Sequence, residues 1–397
     1  MRYELIATAT FGLEAVVKRE VEALGYRVTR SEDGRITFTG NEEAIVRANL
    51  WLRSADRVYL KLAEFDAFEF EDLYQGVRAI PFEEYMTADA AFATDAVSVR
   101  SKLHAVPSVQ AVCEKALADR LREAYALPAA ARLSKTGAKY RLRISLQKDR
   151  ALITLDTSGA GLHKRGYRTA NVDAPIKETL AAAMVSLSFW NENRLLCDPF
   201  CGSGTIAIEA AMQARNIAPG LGRRFVSEEW HIIDPLVWKT ERNAAYAAVR
   251  HDLPLHIHAS DIDKRAIEAA RENAAEAGVE DCIQFESLSF SGFSSGSASG
   301  SVGSAGGGPP AERDFGIVIT NPPYGERIGE TEKLRGLYRQ VGAFMRERPT
   351  WSLYLITTDK HFEAAAMGRP ADRRRKLYNG RLETTFYQYY GEKPPRM

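Results

Sequence analysis

The segment Thr320-Asn321-Pro322-Pro323-Tyr324-Gly325 follows the apolar run Phe315 to Ile319, so a buried strand is expected to end in a polar, proline-stiffened tetrad. In a doubly wound α/β protein ligands gather at the carboxyl edge of the strands. The side-chain carbonyl of Asn321 and the backbone carbonyl of Pro322, fixed by Pro323 behind it, are two acceptors, and Tyr324 adds an aromatic face. Together they suit a planar amine, whose two protons meet the acceptors while its ring stacks on Tyr324. The matching chemistry is that of an exocyclic amino group on a base. Alone, an Asn-Pro-Pro run is an ordinary strand end followed by a turn, so the reading needs a partner site.

Residues Arg194 to Thr205, Arg-Leu-Leu-Cys-Asp-Pro-Phe-Cys-Gly-Ser-Gly-Thr, read as a short strand, a glycine turn and the start of a helix over Ile206 to Ala214. Gly202 and Gly204 let the backbone approach a ligand. No Lys-Ser or Lys-Thr pair follows Gly204, which argues against a phosphate loop, and the strict G-x-G-x-x-G spacing is not met because position 207 is Ala207. Asp198 stands just before the loop, which suits an ammonium or sulfonium ligand rather than a phosphate. A second strand, Leu255 to Ser260, ends at Asp261, whose carboxylate can accept both hydroxyls of a ribose, with Ile262 against the adenine face. Each acid alone could be a turn or N-cap residue. Two acidic strand ends together with the tetrad favour a binding site.

At 397 residues the chain is long enough for two or three domains. Its 45% hydrophobic and 26% charged residues are ordinary for a soluble protein. There is no apolar run of the roughly eighteen residues a spanning helix needs, and the start Met1-Arg2-Tyr3 has no signal-peptide layout. A cytoplasmic protein without a membrane partner is expected. Cys113, Cys197, Cys201 and Cys282 form no CxxC pair, so neither a metal nor a disulfide framework is expected, and His256 and His258 read as packing residues.

Periodicity divides the chain. A strand-helix-strand-strand-helix-strand order over 1–66 reads as a ferredoxin-like unit. A looser α+β block covers 67–158, with helices at Phe70 to Ala79 and Ser108 to Ala124 and strands at Ala96 to Arg100, Tyr140 to Gln147 and Ala151 to Thr157. A linker over 159–173 leads into a Rossmann-like α/β region over 174–397, opening on a helix from Ala174 to Trp190 with Pro175 in its first turn. Inside that region, Asn216 to Leu253 is an insertion, and residues 291 to 308 hold seven Gly and seven Ser, the composition of a flexible loop.

The net charge of +1 hides a local excess. Between Arg132 and Arg168 there are ten Lys or Arg residues against only Asp149 and Asp156, the composition of a phosphate track. Lys139, Arg141 and Arg143 alternate along a strand, so they share one face. Lys164, Arg165 and Arg168 follow, and Arg373 and Arg374 belong to a second basic run over 369–376. A solvated surface would give the same pattern.

The chain resembles the class I S-adenosylmethionine-dependent methyltransferases, and within them the bacterial THUMP-domain enzymes that methylate the guanine 2-amino group of large ribosomal RNA. The resemblance is carried by Asp198 to Thr205, Asn216 to Gly220, Ser260 to Asp263, Thr320 to Arg327 and Leu162 to Arg168. It implies that 67–158 is a THUMP RNA-binding module and that S-adenosylmethionine is the cofactor. It implies Asp198, Phe200, Gly202, Ser203, Gly204 and Thr205 at the cofactor's amino-acid end, Asp261 at its ribose and Ile262 at its adenine, with Asn321 between cofactor and base. Many relatives have an Asp for the adenine amine near the position where Ser289 stands here, and the Ser289 hydroxyl is expected to accept that bond. The expected partner is RNA, 23S ribosomal RNA first and transfer RNA second. DNA adenine N6 methylation and a non-catalytic RNA-binding assembly factor are the readings from other classes.

Overall fold

A computed structural model describes residues 2–169, 175–294, 315–324 and 330–393. Alternating burial makes the first seven strands. They are β1 (Tyr3–Ala9), β2 (Arg27–Glu32), β3 (Arg35–Gly40), β4 (Ala55–Asp66), β5 (Ala91–Val99), β6 (Lys139–Gln147) and β7 (Arg150–Asp156). They form one sheet in the order β2-β3-β1-β4-β7-β6-β5. The ferredoxin-like and the following α+β segments are therefore not separate sheets. The twelve-residue β4 joins them, pairing with β1 through Leu5↔Leu60 on one edge and with β7 through Tyr59↔Asp156 on the other. On β6, Tyr140, Leu142, Ile144 and Leu146 are buried while Lys139 and Arg141 are exposed, the period of two that a half-buried strand requires.

The remaining strands are β8 (Leu196–Asp198), β9 (Ile257–Asp261), β10 (Ile283–Ser287), β11 (Ile317–Thr320), β12 (Ser352–Thr357), β13 (Arg373–Asn379) and β14 (Leu382–Tyr389). Their order is β10-β9-β8-β11-β12-β14-β13. The first five are parallel, and β14 and β13 run antiparallel at one edge. Every residue of β8, β11 and β12 is buried, as expected of central strands in a sheet covered on both faces. Burying each large apolar side chain there contributes roughly 1.5–3 kcal/mol. From β8 the chain moves outward through β9 and β10, then returns to β11 on the other side. The switch point lies between β8 and β11, and a ligand crevice is expected there.

Contacts divide the chain into two compact units, one of residues 1–9, 17–162 and 223–245, the other of 10–16, 163–222 and 246–397. Part of the expected insertion thus packs with the first unit. Trp230 stacks on Tyr140 with ring centroids 4.9 Å apart, and its indole N–H donates to the Lys139 carbonyl at 3.0 Å. Two local expectations need correcting. The helix expected from Ala174 spans Glu178–Ser186, with Lys177 extended at its cap, so Pro175 lies ahead of the helix and not in its first turn. The Gly/Ser tract is not uniform either, because Phe290–Ser294 forms a short helix closed over buried Phe290 and Phe293. Its remainder, 295–308, lies outside the described residues, as do Ala174, linker residues 170–173, and Gly325, Glu326 and Arg327 of the Thr320 to Arg327 motif.

Candidate active site

A cleft of about 790 Å³ opens at the carboxyl ends of β8, β9 and β11. It brings together Asp198, Phe200, Gly202, Ser203, Thr205, Asp261, Ile262, Ser289, Asn321, Pro322, Pro323 and Tyr324. Of the expected cofactor residues only Gly204 is set back from the wall. The two glycines have different tasks. Both have positive φ, but a Cβ on Gly202 would meet nothing within 4 Å, which leaves room for a ligand. A Cβ on Gly204 would stand 3.0 Å from Ala270 Cβ and 3.2 Å from Phe285 Cε1, so this glycine lets the loop seat on its neighbours.

The acids are held differently. Asp198 is buried, and its Oδ1 accepts from the Thr320 hydroxyl at 2.7 Å and from the Phe200 N–H at 3.3 Å. Its Oδ2 is buried with no hydrogen-bond partner. Burial pushes the Asp198 carboxyl up to about 7, with the Asp261 charge adding to the rise and the Thr320 and Phe200 bonds opposing it. A buried carboxylate oxygen without a donor is costly; a ligand ammonium or a donated N–H would satisfy it. Asp261 is not the N-cap of the next helix, a role taken by Asp263, whose side chain accepts from the Arg265 N–H. Asp261 instead accepts from the Gly202 N–H at 3.0 Å and the Asp263 N–H at 3.0 Å, which aims the remaining lone pairs of both oxygens.

Ile262, beside it, is 74% exposed, an apolar surface at the cleft wall that an adenine would cover. Ser289 Oγ accepts from the Gly292 N–H at 3.2 Å and lies 2.9 Å from Ser291 Oγ. This hydroxyl already closes the short helix while lining the cleft. At the tetrad, the Tyr324 hydroxyl donates to Asn321 Oδ1 at 2.6 Å, fixing the Asn321 carbonyl, which keeps a second lone pair.

Several wall residues escape sequence reasoning. Phe290 stacks on Phe200 at 5.4 Å, Gln340 comes from the helix Glu330–Arg346, and Asn379 and Leu382 flank the β13–β14 turn. They are far apart in the chain, and no local pattern announces them. Thr320 is legible as the strand's last residue but not as the donor to Asp198.

Of the expected RNA contacts, Lys139 and Arg141 are exposed, Arg143 pairs with Asp95, and Lys164 is exposed. Arg373 is exposed on β13, whereas exposed Arg374 is bridged to Glu363 at 2.7 Å. Arg165 is a correction. Its side chain is 2% exposed and pairs with fully buried Glu209 at 3.2 Å, so it is not available to a phosphate. Arg168 is also turned inward, to Thr205 at 2.8 Å and Glu178 at 3.2 Å. Among the described residues no cluster of His, Cys, Asp and Glu is arranged to hold a metal, and no helix is long and apolar enough to cross a membrane.

Residues 165–388 match the RMKL-like methyltransferase domain. The chain belongs to this methyltransferase family. Residues 4–59 match the RlmL ferredoxin-like domain and 67–156 the THUMP domain. It is 44% identical over its whole length to "Putative RNA methyltransferase YpsC" of Bacillus subtilis (strain 168), of which it covers 98%. It is 36% identical, over 96% of its length, to the ribosomal RNA large subunit methyltransferase K/L of Syntrophotalea carbinolica, and spans about half, 52%, of that longer protein. The crystal structure of SMU.472 complexed with SAH superposes with a TM-score of 0.89 at 40% identity, covering 99% of each chain. As a member of this family the chain is an S-adenosylmethionine-dependent methyltransferase, and the orphaned Asp198 oxygen and the open space at Gly202 fit that cofactor.

Proposed function

We propose that the chain methylates the exocyclic 2-amino group of a guanosine in RNA, with 23S ribosomal RNA as substrate. The observation that carries the reading is the meeting of Asp198, Asp261 and the Asn321–Tyr324 tetrad in one cleft at the switch point of the sheet. The THUMP match and the K/L relative support RNA over DNA. Residues 1–66 and 67–158 would then present the RNA, and 174–397 would carry the chemistry. A ribosomal RNA substrate goes with a cytoplasmic location.

In this reading the Asp198 carboxylate and the turn from Phe200 to Thr205 hold the cofactor's amino-acid end. Asp261 accepts from its ribose hydroxyls, and Ile262 covers its adenine, with Ser289 at the edge. When bound, S-adenosylmethionine supplies an electrophilic methyl on a sulfonium. Asn321 Oδ1 and the Pro322 carbonyl accept hydrogen bonds from the two amine N–H groups, which turns the nitrogen lone pair out of conjugation with the ring. No base needs to act first, because the amine proton becomes acidic only after alkylation and then passes to solvent water. Positioning can supply roughly 7–11 kcal/mol of the barrier. Stacking on Tyr324 contributes about 1–3 kcal/mol, which offsets much of the few kcal/mol that unstacking a base costs.

Labelled methyl transfer to ribosomal and transfer RNA from a strain lacking the gene, followed by nucleoside analysis, tests the reading. N2-methylguanosine in 23S RNA is the expected product. Label confined to transfer RNA or DNA would replace the substrate. The variant Asn321→Ala should lose transfer by more than about 100-fold while binding cofactor normally, because the lost acceptor serves the amine; loss of cofactor binding would remove Asn321 from that role.

A further inference from the structure

We infer that Arg168 is a positioning residue for the cofactor loop, acting through Thr205 rather than touching RNA. It has three polar contacts within the methyltransferase unit. One guanidinium nitrogen donates to Thr205 Oγ1 at 2.8 Å and to the Ile176 carbonyl at 3.0 Å, and Nε, which makes no hydrogen bond, stands 3.2 Å from Glu178 Oε1 as an ion pair. Thr205 and Ile176 both line the cleft, so one guanidinium nitrogen ties two of its walls together. Thr205 is the first residue of the helix Thr205–Ala214, directly after the left-handed Gly204. Its position therefore fixes where the first turn points its unpaired N–H groups.

The neighbours of Arg168 bind the same loop and helix. The Tyr167 hydroxyl donates to Glu209 at 3.2 Å on that helix, and Arg165 pairs with the same carboxylate. The Thr169 N–H donates to Asn273 Oδ1 at 3.1 Å, and Asn273 Nδ2 donates to the Ser203 carbonyl at 3.2 Å. Residues 165–169 thus brace the turn from Ser203 to Thr205 and the helix behind it. Arg165 and Arg168 of the Leu162 to Arg168 motif, which charge alone would assign to RNA, brace the cofactor loop and its helix.

The test uses the full chain and SAH as probe, so it needs no knowledge of the RNA. Arg168→Gln should raise the SAH dissociation constant roughly 10-fold to 100-fold, the range for losing a charged hydrogen bond. KM for S-adenosylmethionine should rise with it while kcat changes less, and affinity for ribosomal RNA should stay within about twofold. Arg168→Gln combined with Thr205→Val should weaken SAH binding by less than the sum of the two single losses, because both remove the Arg168–Thr205 bond. A general loss of structure would not produce that non-additivity. If Arg168→Gln fails to fold, Arg168→Lys, which keeps the charge on a shorter side chain, should show an intermediate loss.

Unchanged SAH affinity, additive losses in the cycle, or a fall in RNA affinity as large as the fall in cofactor affinity would overturn the assignment. If the wild-type chain methylates no RNA yet Arg168→Gln still loses SAH, the substrate reading fails and this inference stands.

Discussion

The basic run from Arg132 to Arg168 contains two regions that look alike in sequence and behave oppositely. On β6, Lys139 and Arg141 are exposed and Arg143 pairs with Asp95 at the surface. At 165–168, Arg165 and Arg168 turn inward to Glu209, Glu178 and Thr205. The difference comes from backbone and partners, not from charge. A strand alternates, so every second side chain must leave the core. The second region has no period. Gly166 sits at φ +108, where a Cβ would come within 2.7 Å of the Gly222 carbonyl, and the carboxylate that claims Arg165 is 44 residues away in sequence. Charge density is a property of the chain, whereas availability to a phosphate depends on what the fold places opposite each cation.

The largest effect should come from breaking the inward pair. Arg165→Ala would leave Glu209, with no exposed side-chain surface, without its counterion, and losing one partner of a buried pair costs about 3–5 kcal/mol. Urea unfolding should show that loss, and replacing both residues by apolar ones should recover most of it. A loss below about 1 kcal/mol, typical of exposed pairs, would mean that Arg165 does not differ from the β6 cations after all.

The same contrast holds between two buried acids. The oxygens of Glu209 engage Arg165 and Tyr167, whereas Asp198 keeps Oδ2 without a partner and its carboxyl is raised to about 7. Only the ionised form welcomes a cationic ligand. SAH affinity should therefore fall as pH drops below about 7, by up to roughly tenfold per unit. For the ligand-free protein the sign reverses, because a raised carboxyl pKa means that the folded state binds the proton more tightly, so this group adds stability as pH falls through about 7. Calorimetric titrations with SAH across that range, repeated on Asp198→Asn, should show the slope disappear in the variant. A slope that survives belongs to another group.

Much of this architecture is legible in the sequence itself. The parallel strands ending at Asp198, Asp261 and Thr320 follow from apolar runs stopped by acids or prolines, and the tetrad announces its own acceptors. Local pattern cannot show what depends on distant pairing. Nothing near β4 marks it as the seam of a seven-stranded sheet, and nothing near Trp230 says that it stacks on Tyr140, 90 residues earlier in the chain. Pro175 shows the converse error, a residue with a preference for a helix start whose helix begins three residues later. Asn379 and Leu382 reach the cleft only because β13 and β14 form the antiparallel edge.

The smallest effects test the outward region. Lys139→Ala and Arg141→Ala should leave stability within about 0.5 kcal/mol, as exposed positions do. Each should weaken RNA binding a few-fold, and the dependence of log affinity on log salt should become shallower by about 0.7 to 0.9 for each phosphate that is no longer neutralised. Arg143→Ala should change RNA affinity less, since its guanidinium already faces Asp95. The salt slope is the more telling measurement. A cation that merely solubilises an edge can alter affinity through net charge, but only one that displaces counterions from a phosphate changes the slope. If all three variants keep the wild-type slope, β6 is a solvated face, and the RNA track must be sought on other exposed cations such as Lys164 and Arg373.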